Sequence, residues 1–272
     1  MNNLKRHLAP ISAAAWEVID AEARRVLKLK LAGRKLVDFD GPHGPTKAAV
    51  NLGRLEGLPS GPVKDVDAAR RSVLPLIEFR TYFDLSRAEL DAVENGAEDP
   101  DLAPLIEAAA RMALAEDTAV FHGYAQAGIR GIEQLSTHPA LSISENYQEY
   151  PRSIAEALRL LRLAGVDGPY AIALGTRCYT GLLQATGDGG YPVLNLVRKL
   201  IDKIVWAPAV NGAIVLTTRG ADFELTVGRD LSIGYHNHND ESVRLYLIES
   251  MTFRVLTPEA AVALTYAEAK KK

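Results

Sequence analysis

The sequence predicts an α+β fold, and three observations carry that prediction. Apolar runs at residues 213–256 alternate with turn chemistry and have the period of strands. Two long stretches in the first half carry apolar residues at helical spacing. From about residue 136 to 219 the order is strand, helix, helix, strand, a compact α/β or α+β lobe. Segregated runs of strands and helices point to α+β rather than to one parallel sheet.

The strand-rich stretch is the most ordered part of the chain. Phe223, Leu225 and Val227 alternate with Glu224 and Thr226, the pattern of a half-buried strand. Leu245, Tyr246, Leu247 and Ile248 are apolar on both faces and read as a central strand. Ala213 to Leu216 and Leu231 to Ile233 complete the set. Turns at Arg219-Gly220-Ala221-Asp222, Gly228-Arg229-Asp230 and His236-Asn237-His238-Asn239-Asp240 separate these runs.

From the N-terminus, Ser12 caps a helix over 12–31 with Trp16, Ile19, Ala23, Val26 and Leu27 on one stripe, and Gly33 ends it. Residues 35–39 read as a short strand. Residues 41–62 are dense in Gly and Pro and cannot build a core of their own; they are a mobile loop, or an arm ordered against another subunit. Residues 73–85 are extended. Ser86-Arg87-Ala88-Glu89 has the capping-box pattern of a short helix. A long helix covers about 102–126, with Leu105, Ala109, Met112, Ala113, Val120, Phe121 and Tyr124 on its stripe. Residues 140–149 read as loop, 151–164 as helix, 169–174 as strand, 176–185 and 193–201 as helices, and 204–206 as the start of a strand.

Composition excludes several function classes. The chain has 47% hydrophobic and 24% charged residues, ordinary for a folded domain. A net charge of -3 offers no global basic field for nucleic acid. No apolar run approaches the roughly 20 residues that span a bilayer. Met1 to Pro10 lacks the apolar core of a signal peptide. Cys178 is the only cysteine, which excludes an intrachain disulfide and a cysteine-built zinc site, and fits a reducing cytoplasm. Residues 267–272 read as an exposed tail.

No catalytic residue is assigned. The sequence contains no GxxxxGK[ST], HExxH or GxSxG pattern. The glycines near 187–190 follow a helix and meet Pro192, unlike a dinucleotide loop. His236-Asn237-His238 could hold a metal, but Asn, Asp and His also make a polar connection, which is the reading adopted. Glu116, Asp117 and His122 are read as a solvated or salt-bridged helix face, because 116 and 122 do not share one face. Cys178 beside Leu182 and Leu183 is read as a small buried hydrophobe. Tyr179 and Trp206 are read as core.

Several of these stretches together resemble the encapsulins, self-assembling bacterial nanocompartment shell proteins also known as linocin-type bacteriocins. They include Met1-Asn2-Asn3-Leu4-Lys5-Arg6 with Leu8-Ala9-Pro10 and Trp16, Gly33-Arg34-Lys35-Leu36-Val37-Asp38, and Gly165-Val166-Asp167-Gly168-Pro169-Tyr170. They continue with Gly190-Tyr191-Pro192, Thr217-Thr218-Arg219-Gly220-Ala221-Asp222-Phe223, Asp230-Leu231-Ser232-Ile233-Gly234-Tyr235 and Val243-Arg244-Leu245-Tyr246. Their shared order and spacing cover the chain to about Tyr266. The resemblance implies the capsid-protein fold of tailed phages, the Hong Kong 97 type. On this chain it implies a peripheral domain from 1–47, 76–135 and 220–256, an extended loop from 48–75, and an axial domain from 136–219 and 257–266.

The resemblance also implies a non-enzymatic, cytoplasmic, icosahedral homo-oligomer. It would enclose a cargo enzyme, a dye-decolourising peroxidase or a ferritin-like iron-storage protein, through that enzyme's C-terminal targeting peptide. The matching groove positions are Arg34, Leu36, Asp38, Asp230, Leu231 and Ile233. The matching fivefold pore loop is Gly187, Asp188, Gly189, Gly190 and Tyr191, with Asp188 forming an acidic ring that favours cations. Neither a nucleic-acid nor a membrane partner is expected. No cofactor is expected either: some relatives hold flavin on a Trp just before the short helix, where Leu85-Ser86-Arg87-Ala88 has no aromatic residue. The alternatives are a hydrolase or bacteriocin and a prophage capsid protein.

Overall fold

The structure is a computed structural model that describes residues 3–266. Two five-stranded sheets and one separate hairpin account for its strands. The first sheet is built on β11 (Ser242–Val255), long enough to pair with three partners. One edge of β11 pairs antiparallel with β4 (Ile77–Ser86). The other edge pairs with β10 (Ser232–His238) and then with β9 (Phe223–Val227). β1 (Asp38–Asp40) adds in parallel to β9. The Leu245–Ile248 run is therefore central, as its two-sided apolarity requires.

Helices α1 (Ala13–Lys30), α2 (Arg87–Glu94) and α3 (Ala103–Phe121) cover one face of this sheet. Ile19, Ala23 and Val26 of α1 and Leu105, Ala109 and Met112 of α3 pack with Phe83, Leu85, Val243 and Leu245. The Ser12 hydroxyl accepts from the Ala15 amide at 3.1 Å and starts α1, a cap that contributes about 1 kcal/mol. The capping box expected at Ser86 does not form. The Arg87 amide instead donates to the Glu241 carbonyl, and the Glu89 carboxylate accepts from the Asp101 amide, both at 2.9 Å.

The second sheet runs β5 (Leu141–Ile143), β12 (Ala261–Tyr266), β8 (Ala213–Thr217), β6 (Tyr170–Leu174), β7 (Lys203–Trp206). Helices α4 (Ile132–Leu135), α5 (Tyr150–Leu163), α6 (Thr176–Gln184) and α7 (Val193–Val197) complete this lobe. Ala213 to Leu216 thus leaves the strand set it adjoins in sequence and becomes central here. Arg219 makes that break: its guanidinium donates to Asp222 at 3.0 and 3.1 Å and to Asp167 at 3.0 Å, turning the chain between sheets. Gly220 at φ +93° and Ala221 at φ +62° complete the turn. Cys178 is buried as expected, but in a polar cluster with the Tyr150 and Tyr266 hydroxyls at 3.2 and 3.0 Å. Trp206 is only half-buried and donates to Thr176 at 3.1 Å.

The Gly/Pro-rich segment is neither coil nor part of either sheet. β2 (Ala49–Gly57) and β3 (Ala69–Pro75) form an antiparallel hairpin that stands apart. Most of it is exposed, including Leu55 at 69% and Val63 at 64%. The extended stretch at 73–85 breaks at Leu76 into β3 and β4.

His122, at the end of α3, ties the two lobes. Its Nδ1 is 2.7 Å from Glu133 and its Nε2 2.7 Å from the Ala209 carbonyl. Only the imidazolium donates from both nitrogens. The hydrogen bond to Glu133 raises the pKa above 6.5, with burial opposing and the Ala209 carbonyl adding to the rise. This contribution to stability is complete below about pH 6.5 and is lost as pH rises through the folded-state value. We expect the denaturant midpoint to fall across that interval and His122→Gln to flatten the slope. An unchanged slope in the variant would refute the tie.

Candidate functional site

The site begins where α1 stops. The Asp117 carboxylate accepts from the Ala32 amide at 2.9 Å and the Gly33 amide at 2.8 Å, forcing a tight turn over Gly33–Lys35. A Cβ at Gly33 would lie 3.0 Å from that carboxylate, so close approach explains the glycine rather than a helix-ending positive φ. The same turn shortens the expected strand at 35–39 to β1.

The turn aims Arg34 into a cluster of carboxylates. Arg34 Nε donates to Glu116 at 2.9 Å, Nη2 donates to Glu116 at 2.7 Å and also to Glu249, and Nη1 donates to Asp230 at 2.8 Å. One guanidinium thereby joins the end of α1, α3, β11 and the segment before β10. Glu116 and Glu249 are buried. Burial disfavours charge on Arg34, but Glu116, Glu249 and Asp230 outweigh it and hold the guanidinium protonated. Burial, and next the charge of Glu116, push the Glu249 carboxyl well above the usual carboxylate range. Its Oε2 has no hydrogen-bond partner among the described residues.

Beside this cluster lies a groove of about 520 Å³ between α1 and β10. Ala23, Leu27 and Leu31 form one wall, and Leu231, Ile233 and Leu247 form the other. Arg34 and Asp230 stand in its lining, with Arg24 and Lys28 on the helix side. The N-terminal segment crosses one end: Leu4 lines the groove, its carbonyl accepts from the Tyr235 amide at 2.8 Å, and Arg6 pairs with Asp20 at 2.8 Å. An apolar slot with a charged rim suits an extended peptide. A larger hollow of about 690 Å³ near Tyr266 is lined mainly by Ser, Glu and Arg and lacks such walls.

Four of the six expected groove residues, Arg34, Asp230, Leu231 and Ile233, line this slot. The other two lie elsewhere. Leu36 is buried in the core, and Asp38 accepts from the Ala221 amide at 2.6 Å beside a separate small pocket. Glu116 and Asp117 were not legible as site residues: they are buried rather than solvated, and Glu116 is salt-bridged to Arg34. The available signal was Glu249, a charge set within an apolar strand run, which demands a buried partner.

The loop of Gly187, Asp188, Gly189, Gly190 and Tyr191 forms one closed turn on the second lobe. The Gly187 amide donates to the Tyr191 carbonyl at 2.8 Å, and Gln148 anchors Thr186 at 2.7 Å. Gly189 and Gly190 have φ of +70° and +77°, so the turn itself requires them. Tyr191 is exposed; the Asp188 side chain and residues 267–272 lie outside the described structure. A β-bulge between Tyr235 and Asn237 disturbs the His236-Asn237-His238 alternation. His236 packs edge-on to Tyr82, and His238 Nδ1 is 2.6 Å from the Tyr235 hydroxyl. Among the described residues no group of three or more His, Cys, Asp or Glu could hold a metal ion.

Residues 1–252 match a family described as encapsulating protein for peroxidase. The type 1 encapsulin shell protein of Rhodospirillum rubrum is 53% identical over 270 residues, covering 97% of this chain and 96% of that protein. Among solved structures, the virus-like particle from Pyrococcus furiosus superposes with a TM-score of 0.62 at 15% identity, covering 91% of this chain and 98% of that one. The structure from Gordonia phage Cozz gives 0.57 at 14% identity, with 88% and 87% covered. These two likenesses show the fold, that of Hong Kong 97-type capsid proteins.

Two measurements test the cluster. Arg34→Met strands two buried carboxyl groups and should destabilise the protein by about 3–5 kcal/mol in denaturant unfolding; a loss below about 1 kcal/mol would contradict this account. Burial pushes the Asp117 carboxyl up to about 7, against the Ala32 and Gly33 amides that pull it down. Its stabilising contribution is complete below the unfolded value of 3.8 and disappears as pH rises through about 7. Asp117→Asn should remove that component of the pH profile.

Proposed function

The chain belongs to the encapsulin shell-protein family, and from that premise we propose that it closes into an icosahedral nanocompartment around a cargo enzyme. Its role is structural rather than catalytic. The observation that carries the proposal is the β2–β3 hairpin, which is mostly exposed among the described residues, Leu55, Val63 and Val73 included. A long exposed apolar hairpin demands a neighbour, and closed symmetry supplies one to every copy. The hairpin segment, 48–75, is the extended loop. The helices and first sheet, from 1–47, 76–135 and 220–256, make the peripheral domain. The second lobe, from 136–219 and 257–266, is the axial domain.

The groove between α1 and β10 takes the targeting peptide at the C-terminus of the cargo, with Arg34, Asp230, Leu231 and Ile233 as its contacts. The cargo is a dye-decolourising peroxidase or a ferritin-like iron-storage protein; the family description favours the peroxidase. The loop of Gly187 to Tyr191 lines a pore at the fivefold axis that admits small solutes. Residence in the cytoplasm follows from this reading. Ile233→Asp should abolish cargo co-purification while shells still form. Undiminished cargo in intact Ile233→Asp shells would remove the groove from the account.

A further inference from the structure

At the end of α1 one guanidinium faces three carboxyl groups, and they do not share it equally. Glu116 takes most of it: Arg34 Nε donates to both its oxygens at 2.9 Å and Nη2 to one at 2.7 Å. Asp230 takes Nη1 and, with its side chain 42% exposed, keeps contact with water. Glu249 receives only a second share of Nη2 through one oxygen, and no donor among the described residues reaches its Oε2. The side chains of Glu116 and Glu249 are wholly buried. The ladder partner of Glu249 on β4 is Phe79, which brings no charge. The other charged groups nearby are Asp117 beside Glu116 on α3, Lys35 on the turn, and Arg24 and Lys28 on the helix side of the groove. Lys35 Nζ donates to the Leu29 carbonyl at 3.2 Å. A buried carboxylate with so few donors is costly and neutralises instead. Glu249 also lies within hydrogen-bonding reach of Glu116, and two carboxyl groups meet at that range with a proton between them.

We propose that Glu116 and Glu249 share one proton, and that this proton latches the end of α1 to α3 and β11. Glu116 carries the charge that Arg34 answers. Glu249 is the neutral member and donates to it. Loss of the proton leaves two buried negative charges against a guanidinium that Asp230 already engages from the other side. The pair relieves that repulsion by parting, and the element free to give is the Gly33–Lys35 turn, which carries Arg34 and ends no packed strand. Rising pH therefore loosens the last turn of α1. The sign follows from the direction of the shift: burial, and next the charge of Glu116, hold the Glu249 carboxyl above its unfolded value of 4.5. Its contribution is complete below 4.5 and is lost as pH rises through the folded-state value. The latch belongs to the single chain, so it holds whatever occupies the groove and whatever the assembly.

Infrared spectroscopy of the purified full-length protein reads the proton directly, as a protonated-carboxyl band that bleaches when pH is raised. Two buried components are expected, because Asp117 is also held protonated, up to about 7. Asp117→Asn removes one component and Glu249→Gln the other. Glu116→Gln hands Arg34 to Glu249, which then ionises, so this variant also loses the Glu249 component. Hydrogen exchange over residues 31–36 reads the latch. At each alkaline pH the wild type should lose protection relative to Glu249→Gln, by up to about tenfold per pH unit. Comparison at equal pH cancels the intrinsic exchange rate and leaves Asp117 common to both proteins. A band untouched by Glu249→Gln would overturn the proposal. A Glu249 component that persists in Glu116→Gln would show a proton held by Glu249 alone and overturn the sharing. Equal protection in wild type and Glu249→Gln would overturn the latch. A Glu249→Gln protein that fails to fold would overturn the neutral state itself, since the amide keeps the shape and neutrality of the acid.

Discussion

Arg34 is where the first lobe is held together. Its guanidinium reaches Glu116 on α3, Glu249 on β11 and Asp230 ahead of β10, and its own position depends on Asp117 bonding the Ala32 and Gly33 amides. Such a junction is a poor source of net stability, because burying these charges costs nearly what their attraction returns. What it supplies is placement. It fixes the exit of α1 relative to β10, and the groove is the gap between those two elements. Leu27 and Leu31 on one wall and Leu231 and Ile233 on the other therefore depend on a charge cluster beneath them.

The other constraint is the hairpin. Its two strands pair with each other, yet Leu55, Val63 and Val73 remain in water. The two lobes, by contrast, share a core: one continuous set of apolar side chains links the second lobe to Val120 and Phe121 of α3 and to Leu225 and Phe253 of the first sheet. A finished core with one unfinished arm is the architecture expected of a subunit rather than of a free-standing domain. The capsid-protein fold accounts for that imbalance, since an arm left over in one copy is a contact in the next.

Much of this was legible in the residues. The β9 alternation, the α1 stripe with its Ser12 cap, and the two-sided apolarity of β11 give local structure directly, because each follows from burial period or a single hydrogen bond. Sequence reading failed where long-range partners decide. Ala213 to Leu216 groups with β9 by adjacency, and only the 136–219 lobe boundary hints that it belongs to the other sheet, into which the chain turns at Arg219. Gly33 looks like a helix stop and is a contact with Asp117. Glu116 reads as solvated or salt-bridged, and its burial is hidden because the Arg34 it pairs with is 82 residues away. Of the positions that the motif resemblance implied, Arg34, Asp230, Leu231 and Ile233 line one slot, while Leu36 and Asp38 line a separate small pocket.

The assembly is the claim on which the rest of the functional account stands. Light scattering coupled to size exclusion, with negative-stain microscopy of the same peak, measures it directly on the purified protein. The account predicts uniform closed particles of megadalton mass at ordinary salt and pH. A stable monomer or dimer under those conditions would contradict it.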